Sequence, residues 1–495
     1  MLLSKSMLDL GTNGHPVDDS TATGASSIPP HPLGLKPLGN KYFAGGNDAR
    51  ECMGALQALP DEVLMLLLEY LDCRTLRRLG YACRFLYAMS LSDDLWKSIF
   101  LESDLGKTSS FDWQGSWRST VLGLPAEQQH YLECRNVYSD VLHRPFVCSH
   151  ISLGHLTSGI PAANEINRFP DLSYAEFAEK WSNKPFILTE CIRPWPAYQS
   201  WDLETLLKLF ADTSFRAEAV DWTFETYVKY MANNNDESPL YLFDRKFAEK
   251  MKLEIGSGEG AAYWKPECFG PDLFELLGSE RPAHRWLIIG PERSGSTFHK
   301  DPNATSAWNA VIQGTKYWIM FPPTADVPGV YVSKDGGEVT SPLSIAEWLL
   351  EFHAEARRLP GCREGVCKAG EILHVPSGWW HLVVNLEAGI ALTQNFVPKS
   401  HLADVLSFLR DKSDQVSGFD EGVRDPYALF VQRLAEVYPD LLENGLKELA
   451  ERQLSKKRRW DLAVGNVTDE EQGAKKTAGF SFGFGSDDLE DDEIP

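Results

Sequence analysis

Two imidazoles and one carboxylate stand in this chain at a spacing that suits a metal ion. His299 and Asp301 are one position apart, and His381 follows further along. Two histidines and an aspartate make the ligand set of the facial triad. That set covers one face of an octahedral iron(II) and leaves the opposite face open for a co-substrate and O2. A His-x-Asp pair by itself says little, because a chain this long yields one by composition. The setting adds weight. The pair lies at the end of a Gly- and Ser-rich segment from Gly290 to Pro302, and His381 closes a turn from Pro376 through Gly378 that runs into a strand. His374 is the rival for the second imidazole; its even-numbered strand partners, Ile372 and Pro376, give weak guidance.

A second set of residues suits a small dicarboxylate. Lys316 is the one cation in the run Lys316–Phe321, and a buried ammonium needs an anion. Asn309, Thr393 and Ser296 bring an amide and two hydroxyls to neighbouring strands, and Tyr241 can add a phenol. Such a group could hold the far carboxylate of 2-oxoglutarate while its keto-acid end chelates iron. The competing reading is a barrel that has lost its metal and keeps these side chains as satisfied polar groups.

These residues need strands to carry them, and the second half of the chain supplies them. Trp308–Ile312, the turn Gln313-Gly314-Thr315 and Lys316–Phe321 read as a hairpin closed by Pro322-Pro323. Glu371–Val375, Trp380–Asn385 and Ile390–Phe396 read as a three-strand meander. Many short strands imply a jelly-roll or cupin-like barrel with a mouth for a metal. Period-two alternation would put His299 and Asp301 on one face. Upstream, Ser173-Tyr174-Ala175-Glu176 is a capping box, 184–189 a buried strand, and 203–210 and 223–231 helices. Ser344-Ile345-Ala346-Glu347 caps a helix inserted between strands.

The first hundred residues differ in character. Residues 1 to about 50 are rich in Gly, Pro, Ser, Thr and Asn and read as disordered. Leu59-Pro60-Asp61-Glu62 opens a helix carrying Val63, Leu64, Leu67, Leu68 and Leu71. Leu76, Leu79, Cys83 and Leu86 suggest a second helix, and Leu95, Trp96, Ile99 and Phe100 a third.

Bulk properties narrow the class. The chain has 495 residues, 43% hydrophobic and 11% aromatic, enough for two or three domains with sizeable cores. No apolar run reaches the roughly eighteen residues of a membrane span, and no basic-then-apolar leader pattern opens the chain, so an intracellular soluble protein is expected. Nine scattered cysteines with no C-x-x-C pair argue against a disulfide framework or zinc ribbon. The net charge of -22 argues against strong direct nucleic-acid binding and suits a basic polypeptide partner. The segment from Asp469 onward is an acidic tail, in which Phe480, Phe482 and Phe484 alternate with Gly or Ser. Lys456–Arg459 is a short basic cluster that reads equally as a nuclear signal or a solvated helix end.

Two resemblances follow from ordered blocks of residues. Leu59-Pro60, the apolar helix ending at Leu71-Asp72, Leu76 and Leu79, Cys83-Arg84 and Asp94-Leu95-Trp96 together resemble an F-box. That likeness implies docking of a Skp-type adaptor through residues 55–101 and a link to a cullin ubiquitin ligase. Gly290-Pro291, Arg293-Ser294-Gly295, His299-x-Asp301-Pro302, Thr305–Ala310, Gly314-x-Lys316, Pro376-x-Gly378-Trp379-Trp380-His381 and Thr393–Phe396 resemble a Jumonji C (JmjC) domain. The JmjC part resembles the branch of the lysyl hydroxylase and arginine demethylase once called the phosphatidylserine receptor.

The JmjC likeness implies a mixed α+β chain whose centre is a double-stranded β-helix barrel with flanking helices. His299, Asp301 and His381 match its iron ligands; Tyr241, Asn309, Lys316 and Thr393 match its 2-oxoglutarate pocket. Ser296 stands where that branch usually has threonine. The implied co-substrates are 2-oxoglutarate and O2. The implied outcome is hydroxylation of a Lys or Arg side chain, or demethylation where the oxidised carbon lies next to a methylated nitrogen. A basic protein in the nucleus, also in the cytoplasm (a histone tail, a splicing or a ribosomal protein), is the expected substrate. The alternative function is a non-catalytic adaptor of a ubiquitin ligase that uses the barrel to bind. The expected organisation is 1–50 disordered, 51–102 F-box, 103–160 connector, 161–400 JmjC, 401–462 C-terminal helices and 463–495 disordered tail.

Overall fold

The structure is a computed structural model that describes residues 28–455, apart from 130, 257 and 343. The acidic tail, its phenylalanines, the Lys456–Arg459 cluster and the first 27 residues lie outside the described residues.

Fifteen strands carry the chain's centre: β1 (Asn167–Phe169), β2 (Phe186–Leu188), β3 (Ser214–Ala217), β4 (Val220–Thr223), β5 (Leu242–Asp244), β6 (Arg285–Gly290), β7 (Gly295–His299), β8 (Ser306–Gln313), β9 (Thr315–Phe321), β10 (Tyr331–Val332), β11 (Val339–Thr340), β12 (Arg363–Lys368), β13 (Ile372–Val375), β14 (Trp380–Asn385) and β15 (Gly389–Phe396). Nine form one sheet in the order β1-β2-β13-β8-β15-β6-β5-β3-β4, and four form a second in the order β12-β9-β14-β7. This is the expected double-stranded β-helix.

The local pairing differs from the sequence expectation. β8 and β9 are not a hairpin: β8 joins β13 and β15 in the large sheet, while β9 joins β12 and β14 in the small one. Likewise β13, β14 and β15 are no meander, because β14 crosses to the small sheet between its two neighbours. A short turn between apolar strands fits either arrangement, so turn chemistry alone does not decide. Both strands are buried on both faces, which accounts for their continuous apolar runs. In β8 the odd residues Ala307 and Val311 pack inside the barrel, and the even residues Trp308, Ala310 and Ile312 join the core outside it. Gly314, at the crossing, has φ +83°, and a Cβ there would lie 2.7 Å from the Ala388 carbonyl oxygen. Both facts demand glycine.

The N-terminal module holds four helices, not three: α1 (Asp61–Glu69), α2 (Cys73–Leu79), α3 (Arg84–Met89) and α4 (Asp93–Glu102). The expected second helix breaks after Gly80. Residues 28–50 also depart from the disordered reading. Leu33, Leu35 and Ala49 are buried, and backbone bonds from Cys134 N to Leu33 O and from Ala49 N to Asn136 O fasten them. Three isolated apolar side chains leave no periodic signal, yet the 134–138 segment offers them a surface.

The connector welds this module to the barrel. Phe100 of α4 meets Trp117 edge-on at 5.2 Å and Trp222 of β4 at 5.9 Å. Trp117 Nε1 donates to Asp236 Oδ1 at 2.9 Å, and Trp113 Nε1 to the Asn233 carbonyl at 2.6 Å. One apolar core therefore runs from Leu64 in α1 to Phe396 in β15. The capping box at Ser173–Glu176 and the cap at Ser344 stand as expected. After the barrel, helices at Leu402–Asp411, Pro426–Val437 and 439–455 pack with Leu273, Phe274 and Leu277 in a separate core.

Candidate metal and co-substrate site

Antiparallel pairing of β7 and β14 sets His299 opposite His381, with ring centroids 4.1 Å apart. Asp301 follows β7 directly. One ligand atom from each of the three residues can be chosen so that all lie within 4.8 Å of one another. The rings are held by their other nitrogens: His299 Nδ1 bonds the Thr297 carbonyl at 2.7 Å and His381 Nδ1 the Trp379 carbonyl at 3.1 Å. A carbonyl only accepts, so each Nδ1 carries the proton and each Nε2 is free to ligate. Burial, and then the neighbouring His299, hold the His381 pKa well below its usual value, so the ring is neutral.

Burial raises the pKa of Asp301 above the ordinary carboxylate range, against the pull of His299 and of a hydrogen bond from Asn395. Its Oδ2 is buried with no hydrogen-bond partner. A buried orphan carboxylate oxygen beside two imidazoles whose Nε2 atoms are free to ligate fits a divalent cation, which would satisfy all three. His374 lies on the other face of its strand. Its ring packs 4.8 Å from Phe186, and its Nδ1 bonds the Lys184 carbonyl.

Behind the triad is a cavity of about 280 Å³ whose walls include Tyr241, Ser296, Asn309 and Thr393 together with His299, Asp301 and His381. Asn309 and Thr393 are register partners on β8 and β15. Asn309 Oδ1 is buried without a partner, while Thr393 Oγ1 donates to the Trp308 carbonyl. Lys316 is 2% exposed and reaches the cavity wall through Tyr241. Its ammonium donates to Tyr241 Oη at 2.6 Å and to Asn385 Oδ1 at 2.7 Å. Both acceptors are neutral, and Lys316 forms no ion pair among the described residues. Burial accordingly pushes its pKa down to about 7.

The structure thus brings together all eight residues singled out in the sequence. It adds Asn385, whose amide also donates to Ser294 Oγ at 2.9 Å. A polar residue ending the apolar run Leu382–Val384 was the available signal; that it stands opposite Lys316 in register shows only in the structure. Phe243, Trp286, Trp318 and Asn395, also on the cavity wall, carried none beyond alternation.

An antiparallel two-sheet barrel with two histidines and one aspartate at its mouth defines a cupin-type centre of facial-triad form. Comparison with known proteins agrees. The family model for a cupin-like domain matches residues 175–401, and an F-box-like model matches 56–102. The chain is 37% identical over 458 residues to the arginine-specific demethylase JMJ22 of Arabidopsis thaliana, covering 88% of each protein. It is 34% identical over 276 residues to the bifunctional arginine demethylase and lysyl-hydroxylase psr-1 of Caenorhabditis elegans, covering 52% of this chain and 64% of that one. It is 26% identical over 329 residues to the 2-oxoglutarate and iron-dependent oxygenase JMJD4 of Danio rerio, covering 62% of this chain and 71% of that one. The chain belongs to the JmjC family of cupin-like iron(II)- and 2-oxoglutarate-dependent oxygenases, with an F-box-like module before the barrel.

Proposed function

We propose that this chain oxidises arginine side chains of a basic protein, removing N-methyl groups, with His299, Asp301 and His381 holding iron(II). The observation that carries the site is the coincidence of two unmet charges in one barrel. Asp301 presents a buried orphan oxygen, and Lys316 a buried ammonium with no anion. A cation at the first and a dicarboxylate at the second would relieve both. A barrel used only for binding has no reason to carry either cost, so nothing favours the non-catalytic adaptor.

Iron(II) with 2-oxoglutarate and O2 supplies oxidation of a C–H bond, coupled to conversion of 2-oxoglutarate to succinate and CO2. The chain's own residues do the placing. The Thr297 and Trp379 carbonyls fix both imidazole tautomers. Lys316, steadied by Tyr241 and Asn385, receives the far carboxylate of 2-oxoglutarate, with Asn309, Thr393 and Ser296 bonding the rest. Trp318, Ile288 and Val383 make that wall apolar and exclude water.

The choice of arginine is supported by the likeness to JMJ22 along most of both chains. The named activities of psr-1 make lysyl hydroxylation the second reading. A net charge of -22 supports a basic protein as substrate, met in the nucleus and also in the cytoplasm. The F-box-like module supports a Skp-type adaptor as partner, docked on the exposed Leu66, Leu67 and Tyr70 of α1 and its end. The test is incubation in air with iron(II), 2-oxoglutarate and a peptide that carries both dimethylarginine and lysine, reading succinate and peptide mass. Loss of a methylene unit is expected in the parent and absent in His299→Ala. Gain of one oxygen on lysine instead would replace demethylation by hydroxylation.

A further inference from the structure

A second cleft, of about 460 Å³, leads into the triad from outside and shares Tyr241, Phe243, Ser296 and His299 with the inner cavity. Its size is that of a ligand pocket, and three features of its lining select for a particular cargo.

Tyr241 and Phe243 flank the buried Leu242, so strand alternation turns both rings toward the cavity. Tyr241 is used by Lys316, but Phe243 is 40% exposed. One face of Phe243 stacks on Trp286 at 5.3 Å with planes 28° apart, leaving the other face uncovered. An open ring at the mouth of an otherwise buried site offers its negative face to a cation.

At the same mouth stands Glu218, in the two-residue turn between β3 and β4 with φ +49°. Its Oε1 accepts from the Tyr241 backbone N–H at 3.1 Å, which fixes the carboxylate beside β5. It makes no other hydrogen bond and no ion pair among the described residues. The other carboxylate of the cleft, Glu237, is already taken by Arg144 at 2.6 Å and by Ser344 Oγ at 2.6 Å. Arg293, the cation on this lining, is tied to the Asp236 carbonyl at 3.1 Å. Glu218 is therefore the acid left for an incoming group.

We propose that Phe243, braced by Trp286, and Glu218 form the subsite for the cationic head of the substrate side chain, a planar guanidinium stacked on the ring and bonded to the carboxylate. A guanidinium suits this pair because it stacks flat and donates in its own plane. The inference rests on the oxygenase reading for the identity of the site, but it concerns binding and is tested without turnover.

The probe is a labelled Gly/Ser peptide with one central dimethylarginine, and its counterparts with citrulline or lysine at that position. Binding to the full chain is read by fluorescence anisotropy, with and without iron(II) and 2-oxoglutarate under anaerobic conditions. The dimethylarginine peptide is expected to bind about tenfold more tightly than the neutral citrulline one. Glu218→Gln should close that gap. Phe243→Leu, which keeps apolar bulk and loses the ring, should weaken the cationic peptide selectively, and Phe243→Tyr should restore it. A parent that binds no peptide, a gap that survives Glu218→Gln, or lysine bound as tightly as arginine would each overturn the subsite. Failure of succinate formation with the charge preference intact would sink the oxygenase reading and leave the subsite standing.

Discussion

His299 and His381 face each other across one antiparallel pair, and each ring is anchored to the carbonyl two residues before it. The same device twice over makes the second imidazole's orientation a property of the backbone rather than of side-chain packing. Asp301 has no such backbone anchor: Asn395 bonds its carboxylate, and its Oδ2 is unsatisfied. The carboxylate is therefore the ligand whose replacement changes the site's charge with least change of shape. Asp301→Asn is expected to fold normally, to lose tight iron(II) binding and to form no succinate. Isothermal titration with iron(II) or manganese(II) checks this, and unaltered affinity in the variant would remove Asp301 from the ligand set.

Lys316 gives a prediction with a sign. Its folded pKa, near 7, lies below the unfolded value of 10.5, so the folded chain without co-substrate disfavours the charged form. Protonation therefore costs stability progressively as pH falls from about 10.5 to about 7, with no further change below. A bound dicarboxylate needs the ammonium, so above pH 7 binding must draw in a proton. Affinity for 2-oxoglutarate should then fall by up to about tenfold per pH unit above 7. Calorimetry in buffers of different ionisation enthalpy reads the proton directly; no uptake at pH 8 would refute the pairing.

Removing the same charge separates stability from function. Lys316→Met fills similar volume with no charge to desolvate. The variant is expected to melt no lower than the parent, and higher at neutral pH, while its 2-oxoglutarate affinity drops by roughly thirtyfold or more. Thermal melts with and without 2-oxoglutarate suffice. A variant still stabilised by 2-oxoglutarate as strongly as the parent would show that the anion binds elsewhere.

The sequence exposed the chemistry more fully than the path of the chain. His381 and Lys316 are polar residues in apolar strands, conspicuous because burying them is costly, and His299 and Asp301 stand out by their one-residue spacing. Pairing was less legible. The apolar runs at β8 and β9 are compatible with a hairpin, and only three-dimensional closure sends them to opposite sheets. Asn385 went unread because its role depends on lying opposite Lys316, a register that closure sets. Leu33 and Leu35 were hidden for a similar reason: two leucines in a Gly- and Pro-rich stretch have no period, and their surface is a hundred residues away in the chain.

Helix α1 divides its leucines between two jobs. Leu64 and Leu68 are 1% and 4% exposed and belong to the core, whereas Leu66 and Leu67 are 57% and 48% exposed, with Tyr70 at 89% beside them. The outer residues form the uncovered apolar face that a partner would cover. Leu66→Asp with Leu67→Asp should abolish binding to a Skp-type adaptor and leave the melting temperature nearly unchanged. Leu64→Asp, which puts a charge into the shared core, should instead lower the melting temperature of the whole chain. Pull-down with purified adaptor alongside a thermal melt distinguishes the two, and adaptor binding that survives both outer substitutions would move the docking face elsewhere.

Phe100 decides whether the F-box-like module and the oxygenase are one folding unit. Its ring sits fully buried between Trp117 of the connector and Trp222 of β4, with Phe111 tilted against it at 5.1 Å. Three aromatic neighbours from two other segments cannot close over the space that truncation would leave. Phe100→Ala should therefore cost about 3–5 kcal/mol. The loss should fall on the whole chain, because the core it interrupts runs unbroken from α1 to β15. Unfolding followed by tryptophan fluorescence and by far-ultraviolet circular dichroism should give one shared transition shifted down in the variant. Two separate transitions, with only the earlier one moved by Phe100→Ala, would instead mean that the helical module melts as a tethered domain and that the barrel holds its site without it.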